Sequence, residues 1–500
     1  MSTAEVCTTA STELDSQWVA TVGQLADDDD QDQDAQGSNS NGTLSHPHPL
    51  GVRPSGNALT SQHTLHDAMG SWTRLPDEMI LMLLEWLDVG GLINLGSTCR
   101  ALFAYTTYDQ LWRELAVAHA SPDFQWRGSW RASVRRLPDG KLPKIECRNL
   151  FSDALHRPFV CSQIKLASYA SAIPRSNLIP KMADLSHADF DASWSRKPFI
   201  LTDVVTKWKV FKEWDQDALL KRHGDTVFRA EAVDWPMSMY FQYMNETKDE
   251  SPLYLFDRSF VEKMQLQVGE NGDYVPPACF QEDLFTVLGQ QRPDHRWLII
   301  GPERSGSTFH KDPNSTSAWN AVVRGSKYWI MFPPSILPPG VLMSEDEAEV
   351  TSPLSIAEWL LTFHEEARRT AGCWEGVCGE GEVLHVPSGW WHLVVNLEPA
   401  IAITQNFVPR SSLDSVIHFL RNKADQVSGF AATVTDAYGL FEARLKETYP
   451  DLITDSSARS WKKRKWEEVV GGEEEREDKG GFAFGFGEDD LEEEEEEEEA

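Results

Sequence analysis

Two stretches of this 500-residue chain carry residue types that bind redox-active metals. Residues 301–334 contain His310 and Asp312, one residue apart, and residues 381–407 contain a further histidine, His392. In a strand, residues two apart point to the same face, so His310 and Asp312 could both reach one ion. Two histidines and one carboxylate on one side of an ion form the facial triad of non-haem Fe(II) enzymes, which leaves positions open for a cosubstrate and oxygen. We therefore predict that the two stretches together supply the ligands of one iron site.

A cation near this pair favours the same chemistry. The His-x-Asp spacing alone is also compatible with a plain turn that Asp312 caps. Lys327, however, lies in the run GSKYWIMF, where an alternating strand would turn it inward with Trp329. A lysine inside a barrel is costly unless an anion pairs with it, and a surface lysine is the alternative. A 2-oxoglutarate cosubstrate needs such a cation for its far carboxylate, and Thr404 and Asn320 on other inner strands can add hydrogen bonds.

Short apolar segments with Gly and Pro between them surround these residues: SAWNAVV, KYWIMF, EVLHVP, WWHLVVNL and AIAITQNF. This pattern predicts an antiparallel barrel or jelly roll, in an α+β chain that is mainly β. A helical run at 351–372 interrupts the strands. Two further helices are predicted over 411–460, the first capped by Ser412 and the second near 441–449.

The segment that begins at Leu75 and Pro76 has three apolar stripes at helical spacing, with a break at 88–91. The predicted three-helix unit, residues 71–116, is too small to be stable alone, which suggests a partner. From its opening Leu-Pro-x-Glu to its closing Leu-Trp it resembles the F-box, which implies docking on the Skp adaptor of cullin–RING ubiquitin ligases. The alternative is a helical bundle that belongs to the core.

The remaining segments are mostly polar. The net charge of -32 is concentrated in acidic runs at 27–34 and 467–500, which we expect to be disordered. Residues 1–70 are predicted to form a polar disordered arm, and residues 117–146 a connector rich in Trp and Arg. The cluster WKKRKW at 461–466 resembles a nuclear import signal.

The cysteines and apolar runs indicate where the protein is found. Seven scattered cysteines without a signal peptide predict reduced thiols inside a cell, and Cys373 and Cys378 are expected to be ordinary loop thiols. No apolar run is long enough to span a bilayer, so no membrane association is expected. Three other histidines are not assigned to the site: His385 is expected in the core, and His295 and His364 on the surface.

From about residue 150 to about residue 407 the chain resembles a jumonji-C (JmjC) oxygenase. It is most similar to the phosphatidylserine-receptor-like subgroup of lysyl hydroxylases, also described as arginine demethylases. The matching stretches include SPLYLFD, RWLIIGPERSG, HKDPNSTSAWNAVVRGSKYW, VPSGWWHLVVNL and IAITQNF. The resemblance implies a double-stranded β-helix of the jelly-roll or cupin type over residues 147–410, in which His310, Asp312 and His392 bind Fe(II).

The same resemblance assigns the cosubstrate site. It implies that Lys327 holds 2-oxoglutarate with the assistance of Asn320 and Thr404. Ser307 falls where family members carry a threonine that contacts the cosubstrate. Tyr254 is expected at the mouth of the substrate site, or simply in the packing.

These assignments predict an Fe(II)- and 2-oxoglutarate-dependent protein oxygenase that uses O2. Lysyl hydroxylation is favoured, and demethylation of N-methyl lysine or arginine is the related alternative. The alternative from another class is an F-box substrate receptor whose barrel mainly recognises a target for ubiquitination; a structural jelly roll with vestigial ligands is a third. The expected substrate is a nuclear protein such as a histone or splicing factor, with the cytoplasm as the alternative location and direct nucleic-acid binding left open.

Overall fold

The computed structural model describes residues 46–119, 124–344, 350–352 and 354–452. Its amino-terminal unit contains the helices α1 (Asp77–Glu85), α2 (Val89–Gly96), α3 (Arg100–Thr106) and α4 (Asp109–Ala118). The prediction of three helices is wrong because the second apolar stripe divides at Cys99. The Cys99 sulfur accepts a hydrogen bond from the Leu102 N–H and so caps a separate helix, α3.

The prediction that residues 1–70 form a disordered arm is wrong for residues 46–70. This stretch packs on the domain: Val52 is buried, Arg53 forms a parallel bridge with Phe151, and Nε2 of His66 lies 3.1 Å from the Phe151 carbonyl oxygen. The acidic runs, the basic cluster at 461–466 and residues 1–45 lie outside the described residues.

The predicted connector at 117–146 is part of the core in its described portion. It contains α5 (Trp130–Val134), and α6 (Asp153–Gln163) follows it. Trp126 and Trp130 are buried and pack against Tyr243, at ring-centroid distances of 4.9 and 5.5 Å. The aromatic residues of this segment therefore join the helical unit to the rest of the protein.

Fifteen strands and eight more α-helices are described after α6. The strands are β1 (Lys181–Met182), β2 (Phe199–Leu201), β3 (Val227–Ala230), β4 (Val233–Pro236), β5 (Leu255–Asp257), β6 (Arg296–Gly301), β7 (Gly306–His310), β8 (Ser317–Arg324), β9 (Lys327–Phe332), β10 (Leu342–Met343), β11 (Val350–Thr351), β12 (Trp374–Cys378), β13 (Val383–Val386), β14 (Trp391–Asn396) and β15 (Ala400–Phe407). The helices are α7 (His187–Asp189), α8 (Lys209–Glu213), α9 (Gln216–His223), α10 (Met237–Glu246), α11 (Phe260–Lys263), α12 (Ile356–Arg369), α13 (Leu413–Asn422) and α14 (Ala437–Thr448). Short 3-10 helices occur at Ser55–Leu59, Leu65–Arg74, Asp139–Lys141, Leu166–Ser168, Val205–Lys207, Ala278–Phe280, Leu284–Gln291, Pro313–Ser315, Arg410–Ser412 and Ala424–Gln426, and a π-helical turn at Phe190–Trp194.

Two facing sheets form the barrel. The larger has the order β1-β2-β13-β8-β15-β6-β5 and the smaller β12-β9-β14-β7, and apart from the β1–β2 pair the neighbours are antiparallel. This confirms the predicted jelly roll. The hairpins β3–β4 and β10–β11 lie outside both sheets.

Strand alternation decides what faces the barrel interior. On β9, Trp329 and Met331 join the inner apolar cluster, whereas Tyr328, Ile330 and Phe332 pack outward in the cluster that contains α12. Because residues two apart share a face, Lys327 lies on the inner face with Trp329, as predicted.

Two local predictions need correction. Cys378 is not on a loop, because it ends β12 and is fully buried on the inner face. Ser412 stands at the N-cap position of α13 but its hydroxyl donates to the Pro409 carbonyl, so it does not cap the helix. The cysteines in the described ranges are all free thiols, and none of the described helices is long and apolar enough to cross a bilayer.

Candidate active site

Antiparallel pairing of β7 and β14 brings the two predicted histidine ligands together. His310 and His392 are directly opposite in register, and their ring centroids lie 4.1 Å apart. A bulge follows, since Ser307 rather than Thr308 pairs with Val394. The bulge shifts the alternation by one residue, which lets Ser307 share the inner face with His310.

Both imidazoles are oriented by main-chain carbonyls. Nδ1 of His310 lies 2.8 Å from the Thr308 oxygen, and Nδ1 of His392 lies 3.1 Å from the Trp390 oxygen. A proton on each Nδ1 satisfies these contacts and leaves the lone pair on Nε2, which is the arrangement that metal-ligating histidines adopt. Burial, assisted at His310 by the neighbouring His392, lowers the pKa of both rings to about 4, so both are neutral at pH 7.

Asp312 reaches the site from a turn. Contrary to the prediction of a shared strand face, β7 ends at His310 and Asp312 stands at the N-cap position of the following 3-10 helix. Its side chain does not cap that helix, and its Oδ2 is buried without a hydrogen-bond partner. Burial raises the pKa of Asp312 to about 6, although His310 and a hydrogen bond from Asn406 act against it. A nearby cation would stabilise this carboxylate.

The side chains of His310, Asp312 and His392 are of the types that bind metals, but they are not yet close enough together to coordinate one ion. Within the ranges that the structure describes, no group of three or more His, Cys, Asp or Glu side chains is already arranged to hold a metal ion. Two neutral imidazoles and a buried carboxylate oxygen without a partner nevertheless suit Fe(II). His310, Asp312 and His392 are therefore the residues that could hold it.

Lys327 is a buried cation on the same inner surface. It pairs in register with Cys378 on one side and Asn396 on the other, and its Nζ donates to Oδ1 of Asn396 at 2.9 Å. The residue is 3% exposed, and no carboxylate among the described residues pairs with its ammonium. Burial lowers its pKa to about 8. An ammonium in this position suits an anionic ligand.

A crowded polar wall, which contains Tyr254 and Ser307, lies beside Asn396, the hydrogen-bond partner of Lys327. The hydroxyls of Tyr254 and Ser307 are 3.1 Å apart. A Cβ on Gly301 would come within 2.9 Å of Asn396 Nδ2 and 3.0 Å of Tyr254 Cβ, so glycine is required for this close approach. Tyr254 is therefore adjacent to the partner of the buried lysine.

The remaining predicted cosubstrate residues are paired across β8 and β15. Asn320 is opposite Thr404, and its Oδ1 is buried without a partner. The Thr404 hydroxyl donates to the Trp319 carbonyl at 2.9 Å, so its proton is already engaged. Nε1 of Trp329, which stacks on His392 at 5.9 Å, is also buried without a partner.

One residue of this site escaped the sequence reasoning. Asn396 holds the Lys327 ammonium, yet it lies in the apolar run WHLVVNL and was assigned no role. The alternation of the strand could have indicated that Asn396 faces the site, because it is four residues after His392 and therefore on the same face.

The histidines that were left out of the site lie elsewhere. His385 is fully buried among Phe190, Phe199 and other aromatic rings, which confirms the core prediction. The surface prediction for His364 is wrong, because it is 6% exposed and bonds to the Tyr328 hydroxyl at 2.9 Å. His295 is half-buried rather than on the surface.

A cleft of about 230 Å³ reaches the candidate site from outside. Asp312 lines this cleft, as do Ser415 and Phe419 of α13. The Lys311 ammonium lies 4.4 Å from the ring centroid of Trp391 in the same cleft. Of the three candidate metal ligands, Asp312 is the one that lines this cleft.

Family comparisons agree with this architecture. Residues 190–413 match the model of the cupin-like domain, and residues 72–118 match the F-box-like model. The arginine-specific demethylase JMJ22 of Arabidopsis thaliana is 36% identical over 441 residues, which cover 84% of this chain and 85% of that protein.

Two other relatives match over shorter spans. The lysine-specific demethylase JMJ21 of Arabidopsis thaliana is 32% identical over 70% of this chain and 38% of its own length. The bifunctional arginine demethylase and lysyl-hydroxylase psr-1 of Caenorhabditis elegans is 35% identical over 44% of this chain and 58% of its own length. The chain therefore belongs to the JmjC family of cupin-like proteins and carries an F-box-like domain ahead of its JmjC domain.

Proposed function

We propose that the protein is an Fe(II)- and 2-oxoglutarate-dependent oxygenase that modifies side chains of a protein substrate. The observation that carries this proposal is the buried ammonium of Lys327, without a carboxylate partner, inside the barrel that also holds His310, Asp312 and His392. The names of the relatives support it, since they include a lysyl-hydroxylase and 2-oxoglutarate and iron-dependent oxygenases.

In this proposal the triad and the polar wall have separate roles. His310, Asp312 and His392 hold Fe(II), which together with 2-oxoglutarate and O2 supplies the oxidising power for a C–H bond. Neutral Nε2 atoms and an ionised carboxylate are the required ligand states, and the low histidine pKa values provide the first.

The inner cation and its neighbours bind and orient the cosubstrate. Lys327 pairs with the far carboxylate, and Tyr254 and Ser307 offer hydroxyl groups beside it. The amide of Asn320 has an unused oxygen and can turn to donate from its nitrogen, while the oxygen of Thr404 remains an acceptor. The apolar inner cluster around Trp329 excludes water from this end of the barrel.

The reaction and the protein substrate are proposed on grounds other than the metal and cosubstrate residues. Lysyl hydroxylation is the favoured reaction, and demethylation of N-methyl arginine or lysine is the alternative. One site suits both reactions, because both begin with oxidation of a C–H bond. We propose a nuclear protein such as a histone or splicing factor as substrate, on the basis of the basic cluster at 461–466.

Turnover tests the oxygenase directly. Purified protein with Fe(II), 2-oxoglutarate and basic nuclear peptides should release succinate, and His310→Ala should lower the rate by on the order of a hundredfold or more, because a metal ligand is lost. Lys327→Ala should raise the KM for 2-oxoglutarate.

Matched controls are His63→Ala and Lys207→Ala, both at exposed positions, which should retain wild-type turnover. Mass spectrometry of the peptides would then show the gain of one oxygen for hydroxylation or the loss of a methylene for demethylation. Wild-type turnover in His310→Ala would contradict the proposal.

The pKa of Lys327 predicts a pH dependence of cosubstrate binding. The lysine must be protonated to pair with an anion, and its pKa before binding is about 8. The apparent Kd for 2-oxoglutarate should therefore be constant below that value and rise about tenfold per pH unit above it. Calorimetry with Mn(II)-loaded protein measures this. The Lys327→Ala variant should bind 2-oxoglutarate weakly, with a Kd that does not depend on pH in this range. A Kd of the wild-type protein that stays constant above about pH 8 would refute the proposed role of Lys327.

A second function is supported by an exposed apolar surface on the F-box-like domain. Five side chains on α1, its end and α2 are exposed: Met79, Met82, Leu83, Trp86 and Ile93. Trp86 is 88% exposed, and large apolar residues that cluster on a surface mark protein interaction sites. We propose that this surface docks on the Skp adaptor, so that the protein is also a substrate receptor of a cullin–RING ligase.

Adaptor binding should depend on this surface and not on the barrel. Trp86→Ala should weaken the complex with purified Skp adaptor at least about tenfold, because exposed aromatic residues are frequent binding hot spots. Leu59→Ala, an apolar residue that is 90% exposed elsewhere, should bind like wild type, as should His310→Ala. Equal affinity of Trp86→Ala and wild type would rule out this docking surface.

A further inference from the structure

The F-box-like domain makes direct polar contacts with the segment that leads into the candidate cosubstrate site. Arg113 on α4 donates from Nη1 to the main-chain carbonyl of Ser251 at 2.8 Å. Ser251 is three residues before Tyr254, whose hydroxyl meets Ser307. Residues 249–254 are called the tyrosine segment below.

Glu231 links the same arginine to Tyr254 itself. It lies in the tight turn between β3 and β4, with a φ of 50° that is unusual for a residue with a side chain. Its Oε1 accepts a hydrogen bond from the Tyr254 N–H at 3.1 Å, and its Oε2 is 3.4 Å from Arg113 Nη2. Burial raises the pKa of Glu231, and the charge of Arg113 acts against this rise.

The first residue of the tyrosine segment, Asp249, is also held by residues that contact α4. Asp249 accepts hydrogen bonds from Trp130 Nε1 and from the Tyr243 hydroxyl, both at 2.8 Å. Trp130 begins α5, and its N–H donates to Asp109 of α4 at 3.1 Å. Helix α4 therefore holds the segment at Ser251 directly through Arg113, at Tyr254 through Glu231 and at Asp249 through Trp130.

We propose that Arg113 and Glu231 are positioning residues for the cosubstrate site, so that the F-box-like domain is a structural part of the oxygenase. The Tyr254 hydroxyl lies 3.1 Å from Ser307, and its Cβ is against Gly301 beside Asn396. A displacement of the tyrosine segment moves this hydroxyl out of the polar wall beside Asn396, the hydrogen-bond partner of Lys327. The inference rests on the proposed function, because it assigns 2-oxoglutarate to that wall.

The expected size of the effect is modest and specific. Arg113→Gln removes hydrogen bonds that act through Tyr254 and leaves the ligand strands β7 and β14 untouched. Cosubstrate affinity should therefore fall by about three- to tenfold, which is the size of one hydrogen bond. The affinity for Mn(II) and the kcat should change less than about twofold, whereas a general loss of structure would lower all of them.

The test measures 2-oxoglutarate binding to full-length Mn(II)-loaded protein by calorimetry, with the KM and kcat for succinate release alongside. The variants are Arg113→Gln, Glu231→Gln, Tyr254→Phe and the double variant of Arg113 and Tyr254. Arg229→Gln is the matched control, since it breaks an exposed ion pair with Asp234 on the same hairpin and does not contact the tyrosine segment.

A double-mutant comparison separates positioning from general destabilisation. Because Arg113 acts through the Tyr254 hydroxyl, Arg113→Gln should weaken binding in the wild-type background and add nothing in the Tyr254→Phe background. Equal affinity of Arg113→Gln and wild type, or full additivity with Tyr254→Phe, would overturn the inference. Absence of 2-oxoglutarate binding in wild type would instead overturn the proposed function itself.

Discussion

An ammonium group without a counterion constrains the interior of this barrel. Lys327 is 3% exposed, and its described partner is the neutral amide of Asn396. Burial of an unpaired charge costs on the order of several kcal/mol, which the fold must offset elsewhere and which an anionic ligand regains. The close approach at Gly301 brings Tyr254 next to Asn396, which accepts the hydrogen bond of this ammonium. The proposed cosubstrate site is thus centred on a buried charge that the described protein groups leave without a counterion.

The F-box-like unit and the barrel share one apolar core. A single apolar cluster contains residues of both, including Leu84, Trp112 and Trp130 with Tyr243 and Leu298. Helix α4 faces the JmjC domain, while the exposed side chains of α1 and α2 remain on the outside. One face of the unit is thereby committed to the oxygenase and another is open to a partner, which is compatible with both proposed functions in one molecule.

Local pattern predicted much of this arrangement. Alternation placed Lys327 and Trp329 inward, because their face follows from strand parity. The predicted barrel brought the strand of His392 alongside that of His310, but the directly opposite register of the two histidines is set by the pairing of β7 with β14. Asp312 was placed on the wrong element, since the end of β7 is decided by the turn at Pro313. His364 was expected on the surface because its buried partner, the Tyr328 hydroxyl, is 36 residues away in the chain. The contact between Arg113 and Ser251 spans 138 residues, and no local pattern reports such a pairing.

The central claim is that one site binds a metal through His310, Asp312 and His392 and an anion through Lys327. The most direct measurement is an anaerobic titration of the protein with Fe(II) and 2-oxoglutarate. Its readout is the visible charge-transfer absorption that arises when 2-oxoglutarate coordinates Fe(II). The account predicts a band that requires both additions, is absent in His392→Ala and needs more 2-oxoglutarate in Lys327→Ala. Wild-type protein that gives no band, or a band unchanged in both variants, would contradict it.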